Sequence, residues 1–478
     1  MQKTLQSKLS NSVLALYVSF EFENIGAKVL FFNAESSNFS MKGFLMKTVI
    51  IAGGKGTRIS EIYPDIPKPL IPIDGVPVLA REIEVLRKQG FIDIILTVHH
   101  MAEKIMTYFG DGNSFGVKIE YFIEEKPLGN AGALHYLKDK LTEDFLIVNA
   151  DSMFNVDFER LMQFHRRNNA SATILVHPNG HPYDSGLIGC DEEGRVYSWK
   201  NKEDNRPTYY HNLVNAGIHI LSADLLKLLP NKEKIDLDRD ILKPMVNKGQ
   251  LFAYKSPEYV KDMGTPERLK QVIDDYKSGI IDSKNLLKKQ KAIFLDRDGT
   301  INKYVGFLRH IEDFELLPGV SDAIKLFHKM GYLVIVVTNQ PVISRGEVSL
   351  EELDEIHKKL ETLLGREGAY IDDLFFCPHH PDRGFEGEVL KYKIDCECRK
   401  PKPGMLLKAA DLYNIDLSQS WMVGDGEYDI KAGKNAGCKT CYLGEGEEKF
   451  CQDRTEKSLF DFATFLKGEI QRIYKRKV

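Results

Sequence analysis

The stretch Thr48-Val-Ile-Ile-Ala-Gly-Gly-Lys-Gly-Thr-Arg58 decides how the first half of this chain folds. An apolar run with no alternation reads as a strand buried on both faces of a parallel sheet. The glycine-rich turn after it lets backbone N–H groups approach an anion with no side chain in the way. The candidates are Gly53, Gly54, Gly56 and Thr57, and Arg58 adds a planar guanidinium suited to phosphate. Outward from this stretch, the pattern predicts a helix over Val78 to Gln89 and a strand over Asp93 to Val98. Further strands are expected at Asp144 to Asn149 and Gly217 to Leu221, then a helix over Pro266 to Tyr276. Strands alternating with helices predict an α/β domain over 46–277 with a mostly parallel sheet.

A polar, lysine-rich joint follows over 278–290, and then a second apolar strand, Ala292-Ile-Phe-Leu295. Strands at Tyr332 to Thr338 and Trp421 to Val423 alternate with helices near Val320 to Lys329 and Leu350 to Leu364, so residues 291–478 read as a second α/β domain. A chain of 478 residues is too long for one ordinary core. Residues 1–45 show no clear periodicity and make a poor signal peptide, so the working chain is expected to begin near Met46, with a disordered arm or a mis-assigned start before it.

A net charge of −4 excludes a global field for nucleic acid or an anionic membrane, and no apolar run approaches the ~20 residues of a bilayer span. The seven cysteines are an odd number, and three of them, Cys377, Cys396 and Cys398, cluster near His379. That grouping points to metal binding in a reducing, cytoplasmic setting rather than to disulfides. Cys438, Cys441 and Cys451 read as ordinary thiols. No motif speaks to oligomeric state.

Two sites carry the chemistry. In the first domain, Pro64-Asp-Ile-Pro-Lys-Pro-Leu70 holds Lys68 between prolines, which keep the backbone extended. Asp151 ends a strand at Asn149-Ala-Asp151. Two carboxylates on Mg²⁺, with a lysine and an arginine, would let two polyanions meet. In the second domain, Asp296-Arg-Asp-Gly-Thr300 puts two carboxylates at the carboxyl end of a strand, where Asp296 can attack phosphorus and Asp298 can transfer protons. Cys377-Pro-His-His380 and Cys396-Glu-Cys398 supply the closed ligand set of structural Zn²⁺, through Cys377, His379, Cys396 and Cys398. His380 is an alternative ligand to His379.

The first half resembles the sugar 1-phosphate nucleotidyltransferases, in its glycine loop, in Pro67-Lys-Pro69 and in segments that follow in family order. The resemblance implies that the loop and Arg58 hold a nucleoside triphosphate, with Lys68 assisting. It implies that Leu128-Gly-Asn-Ala-Gly-Ala133, with Gly129, reads the base. Asn215-Ala-Gly217, with Asn215 and Gly217, would bind the sugar, and Asp151 and Asp262 the Mg²⁺. Lys202 in Trp199-Lys-Asn-Lys202 holds the place of the sugar-phosphate lysine, although Asn201 replaces the usual glutamate and Lys200 could substitute.

The second half resembles the haloacid dehalogenase superfamily, and more narrowly the D-glycero-D-manno-heptose 1,7-bisphosphate phosphatases, above all in Cys396-Glu-Cys-Arg-Lys-Pro-Lys-Pro-Gly-Met405. This implies an aspartyl-phosphate at Asp296 and a Mg²⁺ site of Asp296, Asp298 and Asp425. It also implies phosphate contacts from Thr338, Asn339, Arg399 and Lys400. Pro341, Gly426 and Val305-Gly-Phe307 depart from the usual pattern. The two resemblances together imply a bifunctional enzyme that makes a nucleotide-activated heptose from small sugar phosphates and a nucleoside triphosphate, GTP by resemblance alone. Base and anomer stay open. So do a mannose-like or amino-sugar substrate with a histidinol-phosphate-type phosphatase, and a first domain that senses without turnover.

Overall fold

The computed structural model describes residues 46–54, 59, 62–446 and 449–477. Residues 1–45 and the loop residues Gly56, Thr57 and Arg58 lie outside the described residues.

The strand Thr48–Ile51 lies in the interior of a nine-stranded sheet. It pairs in parallel with Asp93–Val98 on one side and Phe145–Asn149 on the other, with Ile50 opposite Leu96 and Val148. The long strand Val214–Leu221 then runs antiparallel to Phe145–Asn149, with Ile218 opposite Val148. Buried apolar side chains fill both faces: Leu79, Ile83, Leu86 and Phe158 on one, and Leu134, Ile174 and Leu242 on the other. The helix Val78–Lys88 follows directly from a proline at its N-cap and buries Leu79, Glu82, Ile83 and Leu86 along one stripe. The chain moves to the left of the first strand and returns on its right. The ends of Thr48–Ile51 and Phe145–Asn149 therefore form a topological switch point, where open α/β sheets hold ligands.

The second sheet has six parallel strands in the order Asp373–Cys377, Leu333–Asn339, Ala292–Leu295, Trp421–Gly424, Lys439–Leu443 and Arg454–Glu456. Its switch point lies between Ala292–Leu295 and Trp421–Gly424, so the residues after them, Asp296 and Asp425, meet there. Helix Leu350–Arg366 opens with a capping box between Ser349 and Glu352. No helix among the described residues is long and apolar enough to cross a membrane.

The two domains pack as one compact unit. Within the joint, Ile281, Leu286, Asn285 and Gln290 are buried. The buried Glu258 accepts hydrogen bonds from the amides of Asp157 and Leu286, tying the joint to the first domain. Across the interface, the His211 imidazole lies 2.8 Å from Asp354 and 2.8 Å from Glu361 on helix Leu350–Arg366. Lys255 pairs with Asp373, which also accepts from the Tyr413 hydroxyl at 2.6 Å. Gly180 sits where a Cβ would come within 2.8 Å of the Gly368 carbonyl oxygen, so the two backbones touch.

Burial alone would lower the pKa of His211, but Glu361 and Asp354 outweigh it and push it up to about 10. An unfolded histidine titrates near ~6.5. The raised pKa therefore stabilises the docked state fully below ~6.5, and that stability is lost as pH rises through about 10. With its side chain 28% exposed, His211→Ala should cost roughly 1–3 kcal/mol at neutral pH. The variant should lose stability less steeply than wild type between neutral pH and about 10, as read from urea melts.

Candidate active sites

The first site gathers at the switch point of the nine-stranded sheet. Lys68 leaves the extended Pro67 backbone and donates to Asp151 Oδ2 at 2.6 Å. The strand Tyr259–Asp262 pairs antiparallel with Ser152–Asn155, which puts Asp262 opposite Ser152, one residue from Asp151, and the Met263 amide donates to the Asp151 carbonyl at 3.0 Å. Asp262 accepts from the Gly264 amide at 2.9 Å and from both of its contacts with Arg268, at 3.0 and 2.8 Å. Burial would raise the Asp262 pKa, but the Gly264 amide and Arg268 prevail and hold it below the usual range. Asp151, Asp262 and Lys68 are thus brought together.

Gly53 and Gly54 follow the strand Thr48–Ile51, and a Cβ on Gly53 would reach only ordinary contact with His99, at 3.4 Å. Gly129 has φ +81, and a Cβ there would sit 2.2 Å from the Ile235 carbonyl oxygen, so the fold itself requires glycine. Asn215 donates to both oxygens of Asp238 at 3.2 Å and accepts from the Gly217 amide at 3.0 Å. Burial, followed by Asp236, pushes Asp238 up to about 6. Lys202 stands apart, exposed and paired with Glu203 at 3.8 Å.

Sequence reasoning missed Glu82. It is fully buried, and burial, with the neighbouring Asp151 carboxylate next, raises its pKa well above the usual carboxylate range. Its place three residues after Leu79 and four before Leu86 on the apolar stripe was the available signal.

The second site lies at the other switch point. Lys400 is buried and donates to Asp296 Oδ1 at 2.5 Å and to Asp429 Oδ1 at 2.6 Å. Carboxylate oxygens of Asp296, Asp425 and Asp429 lie within 4.8 Å of one another. Burial, then the neighbouring Asp296, pushes Asp425 up to about 6. Asp429 was missed, although it stands in the first turn of the helix Glu427–Ala436 that begins just after Asp425. The Asp298 carboxylate accepts from Arg297 at 2.8 Å, Asn302 at 3.0 Å and Gln340 at 2.9 Å. Gln340 also donates to the Thr338 hydroxyl at 2.9 Å. Asn339 accepts from the Lys400 amide and donates to its carbonyl, both at 3.0 Å, so it positions the Lys400 backbone. Gly299 has φ +86, and a Cβ there would sit 1.9 Å from Asp425 Oδ2.

Beside this site Cys377, His379, Cys396 and Cys398 converge. The separations are Cys377 to Cys396 at 3.5 Å, Cys396 to Cys398 at 3.2 Å, and Cys398 to His379 Nδ1 at 3.4 Å. These thiols are free. The edges of a tetrahedral zinc site are ~3.8 Å between sulfurs and ~3.6 Å from sulfur to nitrogen, so the donor set fits a metal. The His380 ring instead accepts from the Asp382 amide. Arg399 donates to the His379 carbonyl at 3.1 Å.

Comparison with known proteins agrees with this division. A nucleotidyl transferase family model matches residues 47–279, and a haloacid dehalogenase-like hydrolase model matches residues 258–437. Over 238 residues the chain is 31% identical to a mannose-1-phosphate guanylyltransferase of Mycobacterium tuberculosis, covering 49% of this chain and 66% of that protein. Over 165 residues it is 43% identical to a D-glycero-beta-D-manno-heptose-1,7-bisphosphate 7-phosphatase of Haemophilus influenzae, covering 33% of this chain and 87% of that protein. A crystal structure of HddC from Yersinia pseudotuberculosis is similar at 27% identity and a TM-score of 0.43, over 48% of this chain and 100% of that one.

Two enzyme classes, a nucleotidyl transferase and a haloacid dehalogenase-like hydrolase, therefore share one chain. Through its second half the chain belongs to the D-glycero-beta-D-manno-heptose-1,7-bisphosphate 7-phosphatase family. Phosphatases of the haloacid dehalogenase class use Mg²⁺.

Gly299→Ala should destabilise the second domain by ~2 kcal/mol or more, from the positive φ and the clash with Asp425. A lower urea midpoint for the unfolding of that domain checks this.

Proposed function

We propose that the second domain removes the 7-phosphate of D-glycero-D-manno-heptose 1,7-bisphosphate. The first domain then transfers GMP from GTP to the resulting heptose 1-phosphate, releasing pyrophosphate. One observation carries the reading. Each domain gathers carboxylates with cations already bonded to them beside the switch point of its sheet: Lys68 on Asp151 and Arg268 on Asp262 in the first, and Lys400 between Asp296 and Asp429 in the second. The guanylyltransferase and heptose bisphosphatase relatives support the choice of substrates.

In the hydrolase domain, Asp296 attacks phosphorus while the bond to the sugar oxygen breaks and Asp298 delivers a proton to that oxygen. Asp298 then takes a proton from the water that attacks the aspartyl-phosphate, and inorganic phosphate leaves. Lys400, held by Asn339, neutralises the attacked phosphoryl group along with Thr338, while Arg399 grips the remaining phosphate. In the transferase domain, a sugar-phosphate oxygen attacks the α-phosphorus and pyrophosphate departs. Backbone N–H groups of Gly53, Gly54 and Gly56, with Thr57, Arg58 and Lys68, hold the triphosphate, and Gly129 lies against the base. Asn215 and Gly217 hold the sugar phosphate.

Both clusters fit Mg²⁺, being built of oxygen donors. Asp296, Asp425 and the Asp298 carbonyl would hold it in one domain, and Asp151 and Asp262 in the other. When bound it supplies neutralising charge to phosphoryl oxygens. Cys377, His379, Cys396 and Cys398 hold structural Zn²⁺. The setting that suits these thiols and substrates is the cytoplasm.

Asp296→Asn should lower phosphate release roughly a thousandfold or more while pyrophosphate release stays within about twofold. Asp151→Asn should do the reverse, and paired colorimetric assays on the full chain check both. Loss of both activities in either variant would contradict separate sites. Cys396→Ser should lower bound zinc, read by elemental analysis, and lower the melting temperature of the second domain. Unchanged zinc content would reject the ligand assignment.

A further inference from the structure

A cavity of about 420 Å³ lies where the two domains meet. Ser152, Asn215 and Asp262 of the first domain form one wall, and they belong to or adjoin the segments assigned above to the metal and the sugar phosphate. Helix Val320–Lys329 and the turn before strand Asp373–Cys377 form the opposite wall, through Lys329, Tyr370 and Asp372.

This opposite wall is built in detail. His328 hydrogen-bonds Asp372 at 2.9 Å and stacks on Tyr370 with ring centroids 4.2 Å apart. Asp372 in turn accepts from the Val334 amide at 2.7 Å, which anchors the group to the sheet. Lys284, from the joint, donates to the Tyr370 hydroxyl at 3.4 Å. The phenolic proton then has no acceptor among the described residues and is available to a ligand. Lys329 is exposed and makes no hydrogen bond or ion pair among the described residues.

The wall belongs to the pole of the hydrolase domain opposite its own cluster. Tyr370 and Lys329 precede the strands Asp373–Cys377 and Leu333–Asn339, whereas Asp296, Thr338 and Lys400 gather where the strands end. A seven-residue strand separates the two poles by ~20 Å. The cavity is therefore no tunnel between the clusters.

We propose that the hydrolase domain completes the acceptor pocket of the transferase domain, with Tyr370 and Lys329 donating hydrogen bonds to the hydroxyls at the end of the sugar remote from its phosphate. The ligand class is a sugar 1-phosphate with a hydroxylated tail, and a heptose carries one more hydroxylated carbon in that direction than a hexose. The proposal rests on the reading above, in which Asn215 and Gly217 hold the sugar phosphate beside Asp151 and Asp262.

The test measures pyrophosphate release by the full chain with D-glycero-D-manno-heptose 1-phosphate and GTP, for wild type, Tyr370→Phe and Lys329→Ala. Tyr370→Phe keeps the ring stacked on His328, and Lys329→Ala alters an exposed side chain, so each should fold. Unchanged phosphate release from the bisphosphate verifies that. Losing one such hydrogen bond should raise KM for the sugar phosphate about tenfold, with KM for GTP and kcat unchanged. If wild type transfers but both variants keep KM for the sugar phosphate within about twofold, or raise KM for GTP equally, the shared pocket is wrong while the transferase reading stands. If wild type releases no pyrophosphate, the transferase reading itself fails.

Discussion

A buried amine held between carboxylates is the interaction on which the second domain's site depends. Asp296 and Asp425, at the ends of buried strands, and Asp429, on the helix Glu427–Ala436, crowd within 4.8 Å, where like charges repel strongly and water screens them little. Lys400 offsets that repulsion from the inside by bonding Asp296 and Asp429 at once. The first domain meets the same constraint with two cations, Lys68 on Asp151 and Arg268 on Asp262. In each case the balance of charge is local and rigid, so an incoming phosphate meets cations already in place.

The surrounding structure keeps those charges where they are. Lys400 is clamped on one side by Asn339, which bonds both its amide and its carbonyl. On the other side Arg399 and Lys400 follow directly after Cys398, whose thiol packs against His379 and Cys396. A metal bound by that loop would therefore anchor the backbone that carries Arg399 and Lys400. The missing side chain of Gly299 lets the turn after Asp298 close onto Asp425, which no other residue type could do without displacing the carboxylate.

Much of this was legible in the amino-acid order, because strand-end carboxylates and glycine turns are local patterns. Apolar runs at Thr48–Ile51 and Ala292–Leu295 mark interior strands of the two sheets, and the motifs after them mark the sites. What was not legible arises from contacts distant in sequence. Asp238 under Asn215 is 23 residues away and carries no motif. Lys202, placed at the sugar by resemblance, lies on the surface with Glu203, while Lys261 and Lys284 face the cavity beside Asp262. The meeting of His211 with Asp354 and Glu361 spans 143 and 150 positions, and only the packed domains reveal it.

If the proposed function holds, two separate acidic clusters perform successive reactions at phosphorus on one substrate. A phosphorus-31 NMR time course tests this most directly, with the full chain, Mg²⁺, GTP and D-glycero-D-manno-heptose 1,7-bisphosphate in one tube. Inorganic phosphate should rise first, pyrophosphate should follow after a lag, and a nucleotide diphosphate-sugar resonance should grow in equal amount with the pyrophosphate. Pyrophosphate rising without prior phosphate, or phosphate accumulating with no pyrophosphate at all, would contradict the proposed function.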